Sequence, residues 1–181
     1  IAVGFYPQAM NELDEMWSKM LSQALENAKA SGRHDVAEYL NLKAANDAIR
    51  QASVQWLFDT LLEIAGDANR TNLSVSIERD DTHNFAYRGA NLVGSLIRFR
   101  HGVRCLTVEA GWTRTPTDGF MRGGALAFAR LTHMGMPKAN AELWLIRSDE
   151  SPIWQVMLEE KGVQIFRSES LRDHFRIFTG S

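Results

Sequence analysis

Apolar residues recur at three- and four-residue steps through Met10, Leu13, Trp17, Met20, Leu21, Ala24 and Ala28, which predicts an amphipathic helix from about Met10 to Ala28. Ser31-Gly32 supplies its stop. Asp35-Val36-Ala37-Glu38 then has the form of a capping box, and a second stripe follows through Tyr39, Leu42, Ala45, Ile49, Ala52, Trp56, Leu57 and Leu61 to a stop at Gly66. Unbroken, this second helix spans roughly 45 Å at 1.5 Å per residue. Either it breaks near Gln51 to Ser53, or it forms a helical hairpin with the first helix and reaches far enough to meet a partner.

From Leu73 the rhythm changes to two. Leu73, Val75 and Ile77 alternate with Ser74, Ser76 and Glu78, Asp80 to Asn84 carries turn chemistry, and Phe85 to Arg88 reads as the returning strand. The clearest hairpin joins Leu92–Arg100 to Val103–Ala110 through His101-Gly102. Its residues sort into an apolar face (Ile97, Phe99, Leu106, Val108, with Arg104 at the rim) and a mixed face (Leu96, Arg98, Arg100, Cys105, Thr107). Gly111 to Gly124 lacks periodicity and reads as a loop. Ala125 to His133 reads as a helix because Gly135 and Pro137 follow, although its residues also alternate like a strand. Strands are expected at 141–147, 153–159 and 163–167, then a short helix with Ser170 to Asp173 as its capping box. The order predicts one α+β domain, with an N-terminal helical hairpin packed on a mostly antiparallel sheet, an inserted helix and a short C-terminal helix.

Composition changes this picture little. A chain of 181 residues with 45% hydrophobic and 23% charged residues can bury a core without staples. The single cysteine, Cys105, excludes an intramolecular disulfide and an all-cysteine metal cage, so a cytoplasmic, reducing compartment is the expectation. No run of 18 apolar residues occurs and Ile1 to Tyr6 lacks the form of a secretory signal, but the first residue is isoleucine, which leaves an upstream segment open. The glycosylation sequons at Asn69 and Asn72 carry no weight without secretion.

Charge is uneven despite a net −2. Residues 1–66 carry 9 acids and 5 bases, whereas 88–147 carry 9 bases and 3 acids, and most of these bases are arginine. Arg98 and Arg100 on the mixed sheet face, and Arg114 and Arg122 in the 111–124 loop, are therefore candidates for holding an anion, since the planar guanidinium binds phosphate or carboxylate through two donors. Gly123 and Gly124 ahead of the expected helix would add free backbone amides. With Trp112, Trp144 and Trp154 in the same half, the arginines and tryptophans together offer a stacking surface for single-stranded nucleic acid as a further expectation.

Arg100-His101-Gly102-Val103-Arg104 is similar to the Arg-His-Gly signature of histidine phosphatases, which implies a phosphate-accepting histidine held by arginines. The resemblance spans five residues, and the hairpin around them reads His101-Gly102 as turn residues instead. The element order resembles that of secretion chaperones, without a motif to carry it. His34, His83, His101, His133 and His174 show no metal-ligand spacing, and no catalytic residue or cofactor is indicated. The leading expectation is a non-catalytic protein-interaction domain, adaptor- or chaperone-like and dimeric, that binds through its helical hairpin or its exposed sheet face. An anionic ligand or nucleic acid held by the arginines is the alternative, separable by its steep salt dependence. An enzyme using the 111–124 loop is the third.

Overall fold

The computed structural model describes residues 9–149, 151–158 and 161–180, without the side chains of 9–15, 17 and 122. Two N-terminal helices, α1 (Ala9–Ala30) and α2 (His34–Arg70), precede a seven-stranded antiparallel sheet and a C-terminal helix. The chain divides into two compact units, Ile1–Ile49 and Arg50–Ser181, with the boundary inside α2.

Gly32 turns the chain at φ +69, and Arg33 N–H donates to Ala28 O at 2.9 Å, so a left-handed glycine closes α1 as the sequence predicts. Asp35 lies within the first turn of α2 instead of capping it, where its charge still favours the amide end. The expected break near Gln51 to Ser53 does not occur in the backbone. What changes there is burial: from Val54 onward the helix buries Val54, Leu57, Phe58, Leu61, Ile64 and Ala65, the three- and four-residue stripe of a helix lying on a core.

The strands run β1 (Ser76–Tyr87), β2 (Ala90–His101), β3 (Arg104–Trp112), β4 (Ala127–His133), β5 (Ala141–Ile146), β6 (Ile153–Leu158) and β7 (Gly162–Ile165), each paired with the next, and α3 (Ser168–Thr179) follows. Seven strands were expected and seven form, but two of the expected ones are halves of β1, and β4 takes the place of the expected helix. Asp80 to Asn84 is a bulge within one long strand and not a turn: Asp80 Oδ1 accepts from Thr82 N–H at 2.9 Å, and the register shifts between Asp80 and His83. The turn lies at Arg88-Gly89, both at positive φ, as a two-residue hairpin loop with right-handed strand twist requires.

Two further corrections concern β2 to β4. The β2–β3 turn is Gly102-Val103, with Gly102 at φ +57, so Arg100 pairs with Cys105 instead of Val103. A shift of two leaves side-chain parity unchanged, so both predicted faces stand. The inserted helix expected at Ala125 to His133 is strand β4. Its alanines favour helix locally, yet between β3 and β5 residues 128 to 131 pair with a strand on both sides, and tertiary pairing prevails.

One face of the sheet carries Ile97, Phe99, Leu106, Val108, Leu131, Leu143 and Leu145, all fully buried. Burying each such side chain contributes roughly 1.5–3 kcal/mol. The part of α2 after Arg50 and the whole of α3 lie on this face: Arg79 crosses the Phe58 ring, Trp154 Nε1–H donates to Ser53 O at 3.2 Å, and Phe99 meets Phe175 edge-on at 5.8 Å. The start of α3 is capped at Arg167, whose N–H faces Ser170 Oγ, so Ser170 to Asp173 lies inside the helix. At its far end Arg104 reaches the carbonyls of Ile177 and Phe178, beside Gly180 at φ +77.

The opposite face has a smaller core of Phe85, Ala90, Leu92 and Phe128, covered by Tyr87, Met121 and Trp144. Beside it Gly94 pairs with Gly111, and a methyl group on Gly94 would stand 1.9 Å from Ala110 O. Only paired glycines allow the strands to close up here.

Candidate functional site

The arginines of the mixed face, Arg98 and Arg100, are held by one acid. Glu78 on β1 lies opposite Arg98 and accepts from Arg98 Nη1 at 2.9 Å, while Arg100 Nε stands 3.5 Å from its other oxygen. All three are partly exposed, so the cluster ties two strands together at small net gain. Arg114 stacks on Trp112 at 4.1 Å, next to the loop turn where Asp118 accepts from the N–H groups of Arg114 and Thr115. These hydrogen bonds hold the Asp118 carboxyl below its ordinary range. Trp112 and Cys105 lie toward opposite ends of β3, seven residues or about 24 Å of strand apart, so Arg114 and Arg100 do not converge.

Arg122 has no described side chain. Gly123 and Gly124 take positive φ in a short 3-10 turn that leads into β4, so the helix N-terminus expected to supply amides at this point is not formed. His101 closes the β2–β3 hairpin, its Nδ1 3.2 Å from Ser74 O, with Arg104 turned to α3.

A charged group the sequence did not single out spans three strands of the same face. Glu109 on β3 accepts from His83 Nε2 on β1 at 2.7 Å and from Arg130 on β4 at 2.5 and 3.0 Å. Desolvation pushes the Glu109 pKa up, but the hydrogen bonds from His83 and Arg130 outweigh it and hold the carboxylate ionised below its usual range. His83 also stacks on Phe85 at 5.6 Å. Both oxygens of Glu109 are engaged, so the group works as a cross-strand clamp. The sequence concealed it because His83 reads as a turn residue and Arg130 as helical.

Under the helices lies a second histidine group. Buried His133 on β4 meets His174 on α3, Nε2 to Nδ1 at 3.0 Å, with the rings stacked at 5.3 Å. The Nδ1 of His133 is buried without a partner, a placement that costs least when it carries no proton. Burial holds both rings neutral, lowering the His133 pKa and bringing His174 down to about 4. Among the described residues no three His, Cys, Asp or Glu side chains stand close enough to hold a metal. Cys105 is buried, 3.7 Å from the Thr107 hydroxyl.

The helix pair differs from all of this. From Met16 to Ile49, among the described side chains, only Ala28 and Ala37 are buried. Leu21, Leu25, Val36, Leu40 and Ile49 are half-buried, and four large apolar residues face solvent: Met16 is 58% exposed, Met20 59%, Tyr39 64% and Leu42 53%. No family model, curated protein or solved structure matches this chain. Among the described residues, no helix is long and apolar enough to cross a membrane.

Proposed function

We propose that this chain is a non-catalytic protein-interaction domain that associates through the outer face of α1 and the first half of α2. One observation carries the reading: Met16, Met20, Tyr39 and Leu42 stand uncovered on a segment whose only buried described side chains are two alanines. Helices in proteins draw most of their stability from packing an apolar face, and uncovered apolar patches on soluble domains mark contact surfaces. Met20 lies one turn after Met16, and Leu42 nearly one turn after Tyr39, so each helix offers a compact apolar spot of the kind that pairs with another helix. A second copy of the chain is the simplest such partner.

Sedimentation velocity over rising concentration tests this. The unmodified chain is expected to associate, and the double variant Tyr39→Glu, Leu42→Glu to stay monomeric with an unchanged melting midpoint, because both residues are exposed. A chain that stays monomeric throughout, and that captures the same proteins with and without the substitutions, ends the proposal.

A further inference from the structure

The two edges of the sheet differ. The outer strand β1 carries Glu78, Arg79, Asp80 and Asp81 and a bulge at Asp80 to His83, the features by which edge strands repel further strands. At the other edge, β7 reads Gly-Val-Gln-Ile, with no charge, no proline and no register shift against β6. Phe166 N–H donates to Trp154 O at 2.8 Å, so by the alternation of an antiparallel ladder Gly162 and Gln164 also face β6. The N–H and C=O groups of Val163 and Ile165 therefore point outward along the open edge. Their side chains are exposed, next to exposed Met157.

A groove of about 560 Å³ adjoins this edge on the helix-covered face. Ala52 and Trp56 of α2 form one wall, Pro152 and Ile153 the end of β6, and Ile165 and Arg167 the side toward β7 and α3. We propose that β7 receives an extended, uncharged peptide segment as an eighth antiparallel strand, with β-branched residues beside Val163 and Ile165 and one bulky apolar side chain lodged in the groove. Four backbone hydrogen bonds to Val163 and Ile165 set the register, and the groove selects the sequence, as in other strand additions. The charges match this occupant. β7 has none, and Arg167 shares the groove's rim with Glu169, so the site is locally neutral.

A second copy fits less well. Two four-residue strands meet over only about 14 Å of length, too short a contact to bury by itself the roughly 1,200 Å² of surface typical of specific interfaces. Two-fold pairing would also bring Gly162 of the copy beside Phe166 and leave the groove empty. This proposal uses residues remote in sequence from Met16, Met20, Tyr39 and Leu42, and it stands or falls apart from the association proposed for the helix pair.

The test is fluorescence anisotropy of the full chain with labelled, end-blocked peptides of pattern Thr-X-Val-Thr-Val-Thr, where X is Phe, Leu, Met or Trp, beside a control with X as Ser. Saturable binding of at least one bulky-X peptide is expected, weakened at least about tenfold by X as Ser and by Val163→Lys, a charge of the kind that guards natural edges. Val163→Pro removes an outward N–H without touching the β6 ladder and should abolish binding while circular dichroism stays unchanged. Amide exchange at Val163 and Ile165 should slow in the complex. No saturable binding by any bulky-X peptide, or binding indifferent to both substitutions, overturns the proposal. So does a dimer of the unmodified chain that Val163→Pro dissociates, which would give the edge to a second copy.

Discussion

Glu109 shows how a single residue holds three strands. Its carboxylate takes His83 and Arg130 at once and is itself mostly shielded, so removing its charge leaves two donors facing each other across the sheet. Glu109→Gln should lower stability by about 1–3 kcal/mol in urea denaturation, in the range for removing one partner of a shielded charged hydrogen bond. The glycines give a graded comparison. Gly94→Ala would press a methyl group into Ala110 O and should cost well over about 3 kcal/mol or prevent folding, whereas Gly102→Ala meets only open space at φ +57 and should cost about 1 kcal/mol. Melting midpoints of the two variants decide it, and equal effects would mean the strands do not close up at Gly94. At this scale much was hidden in the sequence. A lone glutamate within a strand does not announce partners that lie 26 residues before and 21 after it.

Among elements, α3 rests on the sheet through Leu171, Phe175 and Phe178 and through a histidine pair whose burial favours the uncharged rings. His133 and His174 both have folded pKa values below the unfolded value of about 6.5, so the pair's contribution to stability is full above that pH. It is lost as pH falls from there toward about 4, because the unfolded chain takes up protons that the buried rings refuse. Facing them are Asp173, whose charge works in the opposite sense, and the Phe166 ring. Hydrogen exchange should therefore show α3 opening earlier than the central strands on acidification, and His174→Gln should flatten the dependence. If α3 keeps equal protection from pH 7 to 5, the pair is not what responds to acid. The elements themselves were largely legible. Three-four spacing located α1 and α2, and alternation with turn signals placed strands at six of the seven, β1 being divided in two. The exception, β4, failed because alanine and the Gly135–Pro137 stop imitate a helix end, and the Asp80 to Asn84 bulge imitates a turn for the same reason: local chemistry is shared between the two outcomes, and only neighbouring strands decide.

At the scale of the whole molecule, the α+β class and the antiparallel sheet followed from the change of rhythm near position 70. The division at Ile49 did not, because the α2 pattern continues through it while burial does not. The arginine-rich stretch that drew attention in the sequence is largely spent on structure: Arg98 and Arg100 on Glu78, Arg104 on the end of α3, and Arg130 on Glu109. Uncovered apolar side chains are grouped on the helix pair and the β7 edge, while Val103, Phe120 and Met134 stand exposed at turns and loops of the arginine-rich stretch itself. The most direct test of the central claim is amide hydrogen exchange over residues 18–48 at low and high protein concentration. The account predicts rapid exchange in dilute solution, where only a thin seam of half-buried side chains such as Leu21, Leu25 and Leu40 shields these helices, and marked slowing as they associate, with the protection absent from Tyr39→Glu, Leu42→Glu. Protection of residues 18–48 equal to that of β3 and β4 at every dilution would contradict it, since the helix pair would then be covered within a single chain.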